Sequence, residues 1–241
     1  MDCKEEFSRS ARVIGCGAIE RLKHARVAVF GVGGVGGYVC EALARAGVGA
    51  IDLFDSDAVS LSNVNRQIIA LHSTVGQAKV EVMRARILDV NPDCEVTVHN
   101  VFYLPENADD YPLDGYDYIA DAIDTVAAKL ELIVRATRAG IPIISSMGTG
   151  NKLDPSRLTV TDLSKTAGCP LARVMRRELK AKGITHLRVV YSEEPPVQAP
   201  PDAPALENDP HKRVPPGSLP FVPPVAGLLM ASEIVKDLIK C

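Results

Sequence analysis

Apolar and polar positions along the first two-thirds of the chain switch repeatedly between two periods. "RVAVFG" (Arg26–Gly31) is a short β-branched run ending in glycine, the pattern of a buried strand. Val35, Val39, Leu43 and Ala46 then recur at helical spacing, and Gly47 stands where a helix C-cap belongs. "AIDLFD" (Ala50–Asp55) predicts the second strand. A loop rich in Ser and Asn follows, and then a helix from about Gln77 to Val90 that Asn91-Pro92 stops. "EVTVHN" alternates as a third strand, and "YDYIADAID" (Tyr116–Asp124) and "IPIISSMG" (Ile141–Gly148) read as the fourth and fifth. "VAAKLELIVRATRAG" is the helix between those last two. The order βαβαβ…βαβ predicts an α/β fold with a doubly wound, Rossmann-like, mostly parallel sheet covered by helices on both faces.

The pattern changes beyond Gly150. "RLTVTDL" and "HLRVVYS" predict strands on either side of "PLARVMRRELKAKG" (Pro170–Gly183), a basic helix with proline in its first turn. Between Glu194 and Pro224 fall 11 of the 17 prolines, which predicts a loop without regular structure. "VAGLLMASEIVKDLIK" then predicts a closing amphipathic helix packed on the sheet. The 241 residues are read as a single domain, with a core over about 7–150 and a second part over about 151–241.

Bulk properties narrow the function classes. A formal net charge of -3 offers no global basic field, so any nucleic-acid binding must come from a local patch. Apolar stretches near Ala120 and Val225 fall short of the roughly 20 residues that span a bilayer. The opening "DCKEEFSRSARVIG" lacks the basic start and apolar core of a secretory signal, so a cytoplasmic protein is expected. The six cysteines are Cys3, Cys16, Cys40, Cys94, Cys169 and Cys241. None forms a C-x-x-C pair, so neither a zinc site nor a disulfide framework is expected.

Candidate chemistry gathers around the glycine turn. Gly31, Gly33 and Gly36 form G-x-G-x-x-G between a strand and a helix, where side chains would block the approach of backbone N–H groups to an anion. Asp55, at the end of the second strand, suits a ribose, which NAD and ATP both carry. A nicotinamide site has little use for the cluster Asn63, Asn65, Arg66 and Lys79 that follows. A triphosphate under attack does need fixed cations, and Arg66 and Lys79 supply them. Asp124, at the end of the fourth strand, is placed to hold Mg²⁺ against the phosphates. ATP is therefore the favoured ligand.

Four separated segments, "GVGGVG", "DLFDSDAVSLSNVNRQ", "VGQAK" and "DAIDT", resemble in order and spacing the adenylating enzymes related to ubiquitin activation. The resemblance implies ATP-binding roles for Gly31, Gly33, Gly34, Gly36, Asp55, Asp57, Asn63, Arg66, Gln67, Lys79 and Asp124, with Asp124 serving Mg²⁺. "FSRSARVIG" is similar to the family's aromatic-x-Arg-Gln opening, with Ser10 in place of the glutamine. It implies that Arg9 reaches an ATP phosphate, often across the interface of a homodimer. The paired C-x-x-C zinc sites of many members are missing. "SSMGTGNKLDPSRLTVTDLSKTAGCPLARVMRRELKAKGI", "VVYSEEPP" and "GSLPFVPPVAGLLMASEIVKDL" instead resemble the tRNA threonylcarbamoyladenosine dehydratase branch. That branch implies adenylation of the side-chain carboxylate of the modified adenosine, followed by its cyclising dehydration, and makes 151–241 the substrate-facing part. Two alternatives stay open: adenylation of the C-terminal glycine of a ubiquitin-like or sulfur-carrier protein, and an NAD-dependent oxidoreductase.

Arg173, Arg176, Arg177, Lys180 and Lys182 crowd one helix with a single acid, Glu178. They are a candidate patch for tRNA, or simply a solvated helix face. Cys169 precedes Pro170 at the start of that helix, where the dipole lowers a thiol's pKa. It is either a thioester or persulfide carrier for a sulfur-transfer partner, or a plain structural thiol. His72 and His186 stand alone, and Tyr111, Tyr116 and Tyr118 read as packing.

Overall fold

The computed structural model describes residues 4–203 and 216–240; Cys3, Cys241 and the 204–215 part of the proline-rich loop lie outside the described residues. The strands are β1 (Arg26–Phe30), β2 (Ala50–Phe54), β3 (Glu95–His99), β4 (Tyr118–Asp121), β5 (Ile143–Ser146), β6 (Leu158–Asp162) and β7 (Arg188–Ser192). They form one sheet in the order β3-β2-β1-β4-β5-β7-β6. Every neighbouring pair is parallel except β6 and β7, which run antiparallel at the edge. The strand order reverses between β1 and β4. A doubly wound sheet opens a crevice at such a point, above the carboxyl ends of its strands.

The principal helices are α1 (Ser8–Ile14), α2 (Cys16–His24), α3 (Gly36–Ala46), α4 (Lys79–Val90), α5 (Val126–Ala139), α6 (Pro170–Ala181) and α7 (Val222–Leu238). Alternating side chains of β1 divide the core. Val27 and Val29 pack with residues of α3, α4 and α7 on one face, whereas Ala28 and Phe30 pack with α5 on the other. On that second face Phe30, Phe54 and His99 stack ring on ring across three adjacent strands, with centroids 4.1 Å apart at both steps. The α6 residues Ala172, Met175 and Leu179 complete a further cluster against Ile133 and Val189.

Strands β4 and β5 are shorter than the segments read for them, leaving Asp124 beyond β4, and two helix starts and two further helices also differ from the sequence expectation. Helix α4 begins at Lys79 because Gln77 and Ala78 are drawn into a turn, where Gln77 accepts the Val59 N–H and Ala78 bridges Ala58. Helix α7 begins at Val222, so the irregular loop ends earlier than Pro224. Pro223 and Pro224 fit its first turn, where no N–H is needed. Helices α1 and α2, separated by Gly15 at φ 82°, precede β1 in a region without a strong periodic signal. Among the described residues no helix is long and apolar enough to cross a membrane.

Candidate functional site

The glycine turn follows β1 at the sheet's reversal point and leaves no room for a side chain at Gly31 or Gly36. A Cβ on Gly36 would lie 1.7 Å from the Gly31 oxygen, and one on Gly31 2.7 Å from the Ala122 oxygen. Gly31 also adopts φ 89°, a left-handed conformation that only glycine takes without strain. Helix α3 starts directly after the turn with no side-chain cap. Among the described residues, the N–H groups of Gly33, Gly34 and Val35 meet no acceptor. Free amides at a helix N-terminus form a ready anion cradle.

Asp55 braces this cradle from below. Its Oδ2 accepts the Val32 N–H at 2.7 Å and its Oδ1 the Asp57 N–H at 2.8 Å. Burial raises its pKa above the ordinary carboxylate value, and the nearby Lys79 ammonium opposes that shift. Lys79 is itself 5% exposed and is already paired, 2.6 Å from Asp57 Oδ2 and 3.9 Å from Asp55 Oδ1. Asp57 is thus the counter-ion of Lys79 in this structure.

Arg66 has a different environment. A Cβ on Gly34 would lie 3.5 Å from its Cγ, which places the arginine stem along the cradle. Its Nη1 donates to the Ser62 carbonyl at 3.0 Å and to Asn65 Oδ1 at 2.9 Å, both neutral acceptors. No carboxylate pairs with it among the described residues, and burial alone lowers its pKa. A desolvated guanidinium without a counter-ion favours an incoming anion. Beside it, Gln67 is 7% exposed and its Oε1 has no partner. Buried acceptors of this kind are uncommon and call for a ligand or water. Asn63 serves the loop itself, its Oδ1 accepting the Ser60 N–H at 3.1 Å in a capping box.

Asp124 lies in the β4–α5 connection, exposed, with Thr125 as its neighbour at 3.4 Å. No group of three His, Cys, Asp or Glu gathers as a metal set among the described residues. Magnesium bound with a triphosphate needs only one or two carboxylates, the other positions being phosphate oxygens and waters, so one acid fits that role. Arg9, on α1, is exposed in the single chain.

The proline-rich segment is tied to the same sheet edge. Asn151 has φ 55°, the only positive value for a non-glycine among the described residues. Its carbonyl accepts the Val197 N–H, its Oδ1 accepts the Gly217 N–H and its N–H donates to the Gly217 carbonyl, all within 2.8 Å. Asn65 Nδ2 donates to the Ser218 carbonyl at 2.9 Å while its Oδ1 holds Arg66, so the strap and the cradle share a side chain. Asn151 was not singled out from sequence; an asparagine after glycine, in a loop that follows a strand, was its signal.

Two expectations on α6 are corrected or narrowed. Arg176 is not part of an exposed patch: it turns inward, donating to the Thr166 carbonyl at 2.8 Å, to the Thr166 hydroxyl and to the Leu163 carbonyl. Its position between Met175 and Leu179, on the packed face, forces that direction. Arg173, Arg177 and Lys180 remain exposed along one stripe, with Lys182 just beyond the helix. Cys169 is 4% exposed and caps α6, its Sγ accepting the Ala172 N–H at 3.5 Å. The thiol expected to be a carrier or a structural group is thus buried and engaged at the helix start. Tyr116 and Tyr118 do more than pack, donating to Asp52 at 2.9 Å and Asp237 at 3.1 Å.

The sequence model described as the ThiF family matches residues 7–241. The chain belongs to the ThiF family. It is 46% identical over 241 residues to the tRNA threonylcarbamoyladenosine dehydratase of Bacillus subtilis (strain 168), covering 98% of this chain and 95% of that one. It is also similar to the crystal structures of E. coli tRNA N6-threonylcarbamoyladenosine dehydratase in complex with ATP and with AMP. Each superposes with a TM-score of 0.88 at 38% identity, covering 98% of this chain and 95% of that one. The adenylating-enzyme resemblance expected from the four separated segments and the Rossmann-like fold expected from the alternation of strands and helices both hold.

Proposed function

We propose that this chain uses ATP to activate the free carboxylate of threonylcarbamoyladenosine in tRNA and drives its cyclising dehydration. The observation that carries the reading is Arg66, a desolvated guanidinium that has no carboxylate partner among the described residues and stands beside three backbone N–H groups with no acceptor among them. That arrangement suits a triphosphate better than the diphosphate of a nicotinamide dinucleotide. Relatives named for this dehydration match nearly the whole chain, which supports the acceptor.

The work of the residues follows from their environments. The N–H groups of Gly33, Gly34 and Val35 hold phosphate oxygens. Arg66 places its charge where negative charge grows as the substrate carboxylate attacks the α-phosphorus and pyrophosphate leaves. Lys79 exchanges part of its contact with Asp57 for a phosphate oxygen, and Asp55 takes ribose hydroxyls with its remaining lone pairs. Asp124 holds Mg²⁺, which neutralises phosphate charge when bound. The carbamoyl nitrogen then closes on the acyl adenylate within the same side chain and AMP departs, the net change being loss of one water. Because the ring closure is intramolecular, no protein nucleophile is required, in keeping with a buried Cys169.

On the acceptor side, Arg173, Arg177, Lys180 and Lys182 meet the tRNA backbone. Ile14 and Ala42 line an open apolar groove with Leu228, Ala231 and Val235 of α7, and Val13, the residue before Ile14, is 85% exposed. A second copy of the chain covers this face and brings Arg9 toward the neighbouring cradle, an assembly that sedimentation equilibrium reads directly.

Incubating the chain with ATP, Mg²⁺ and tRNA bearing threonylcarbamoyladenosine, followed by nucleoside mass spectrometry, tests the reading. The expected product is a nucleoside one water lighter, formed with AMP and pyrophosphate. ATP–pyrophosphate exchange driven only by a diglycine-ended carrier protein, with the tRNA nucleoside unchanged, overturns it.

A further inference from the structure

Beneath the β4–α5 connection lies an ion pair with no part in the chemistry described above. Asp121 ends β4 and Lys129 lies one turn into α5; both are fully buried, with Lys129 Nζ 2.8 Å from Asp121 Oδ2. Ser145, the register partner of Asp121 on β5, donates its hydroxyl to the same oxygen at 2.6 Å. Asp121 Oδ1 accepts the Ile123 N–H at 3.2 Å. One carboxylate therefore joins two strands, a helix and the connection that carries Asp124.

Stability gives no sufficient reason for this choice of residues. Removing two charges from water is costly, and a well-packed apolar pair of similar volume is often equally stable or more so. Direction is what the charges add. An apolar contact tolerates sliding and rotation, whereas a carboxylate gripped by an ammonium and a hydroxyl holds the Ile123 N–H at one place. The other side of the connection has no slack either. Ala122 donates its N–H to the Phe30 carbonyl at 2.8 Å, and its own oxygen fills the space that a Cβ on Gly31 would need. The residue after Ile123 is Asp124, so the backbone bearing that acid is pinned from beneath by Asp121 and from the side by the glycine turn.

We propose that Asp121, Lys129 and Ser145 are positioning residues that aim Asp124 at the phosphate cradle. The proposal rests on the reading of Asp124 as the acid that holds Mg²⁺. Outer partners that orient a metal-holding group are typically worth a factor of about 10 to 100 in metal affinity or activity.

Isothermal titration of ATP, in EDTA and across a Mg²⁺ series, separates the two roles. The double variant Asp121→Leu with Lys129→Met replaces the charged pair by an apolar one, so that no buried charge is left unpaired. Its melting temperature is expected to fall only modestly, because no buried charge is stranded although Ser145 and the Ile123 N–H lose their acceptor. Its ATP affinity in EDTA should be unchanged, while the gain on adding Mg²⁺ shrinks roughly tenfold or more. Ser145→Ala keeps the ion pair and should show a smaller loss of the same kind. Asp124→Asn serves as the reference and should abolish the Mg²⁺ gain. If Asp124→Asn keeps the full gain, the reading of Asp124 fails and the proposal with it. If Asp124→Asn abolishes the gain while the double variant and Ser145→Ala retain it, the positioning role alone is overturned. Should the double variant not fold, Ser145→Ala decides: a parental Mg²⁺ response rejects the proposal and a weakened one supports it.

Discussion

Arginines at the β1–β4 crevice and on helix α6 are chemically identical, yet the structure uses them in three ways. Arg66 is half-buried and, among the described residues, holds only neutral acceptors and meets no opposite charge. Arg176 is also half-buried, but its Nη1 is taken up by Thr166 and Leu163. Arg177 is 76% exposed at its side chain and rests on Glu178 at 2.6 Å. Residue type therefore does not tell a phosphate-directed arginine from a structural one. Burial together with the identity of the partner does.

The most severe way to break the crevice is to fill it. Gly36→Ala puts a methyl 1.7 Å from the Gly31 oxygen, which no rotamer relieves. We expect the glycine turn to be displaced, with complete loss of the ATP-induced rise in melting temperature by differential scanning fluorimetry. A retained ATP shift would mean that the nucleotide binds elsewhere. Next, Arg66→Ala removes the unmatched charge and leaves no buried carboxylate behind. Turnover is expected to fall by roughly 10²–10³, the usual cost of one oriented donor at developing charge. The melting temperature should move little, and single-turnover assays beside thermal denaturation check both halves of the statement.

The smallest effects sharpen the contrast on α6. Arg173→Ala and Arg177→Ala should each weaken tRNA binding and lower the slope of log affinity against log salt by roughly 0.7–0.9. Neither should alter ATP affinity. Arg176→Ala should do the reverse. It leaves the Thr166 carbonyl and hydroxyl short of a donor, at a cost of about 1–3 kcal/mol in folding stability, with an unchanged salt slope. Filter binding over a salt series and urea denaturation distinguish these outcomes.

The reach of the sequence differs between these regions for physical reasons. Strand and helix order was legible because the sheet's two faces are covered, so each strand reads as a short apolar run bounded by punctuation. Gly47 and Gly140 mark helix ends in the left-handed region, at φ 90° and 70°. The glycine turn was legible because steric exclusion at Gly31 and Gly36 leaves no other residue type at those two positions. The antiparallel pairing of β6 with β7 was not, since strand direction depends on where an intervening loop delivers the chain. The inward course of Arg176 was hidden for a related reason: long side chains can snorkel out or fold back, and only neighbouring carbonyls decide. Lys129 did leave a trace, a lone cation beside Ala128 and Leu132 on the apolar stripe of α5. Reading that trace required its partner Asp121, which sequence alone places at a strand end without saying what lies above it.

Asn151 has a last consequence. By gripping Val197 on one side and Gly217 on the other, it brings both feet of a long excursion to one point on the sheet edge. A span closed in this way contributes length without leverage. Each doubling of its residues raises the closure cost by only about 0.6 kcal/mol. A change in length between these two anchor points is therefore expected to cost little folding stability, which urea denaturation checks.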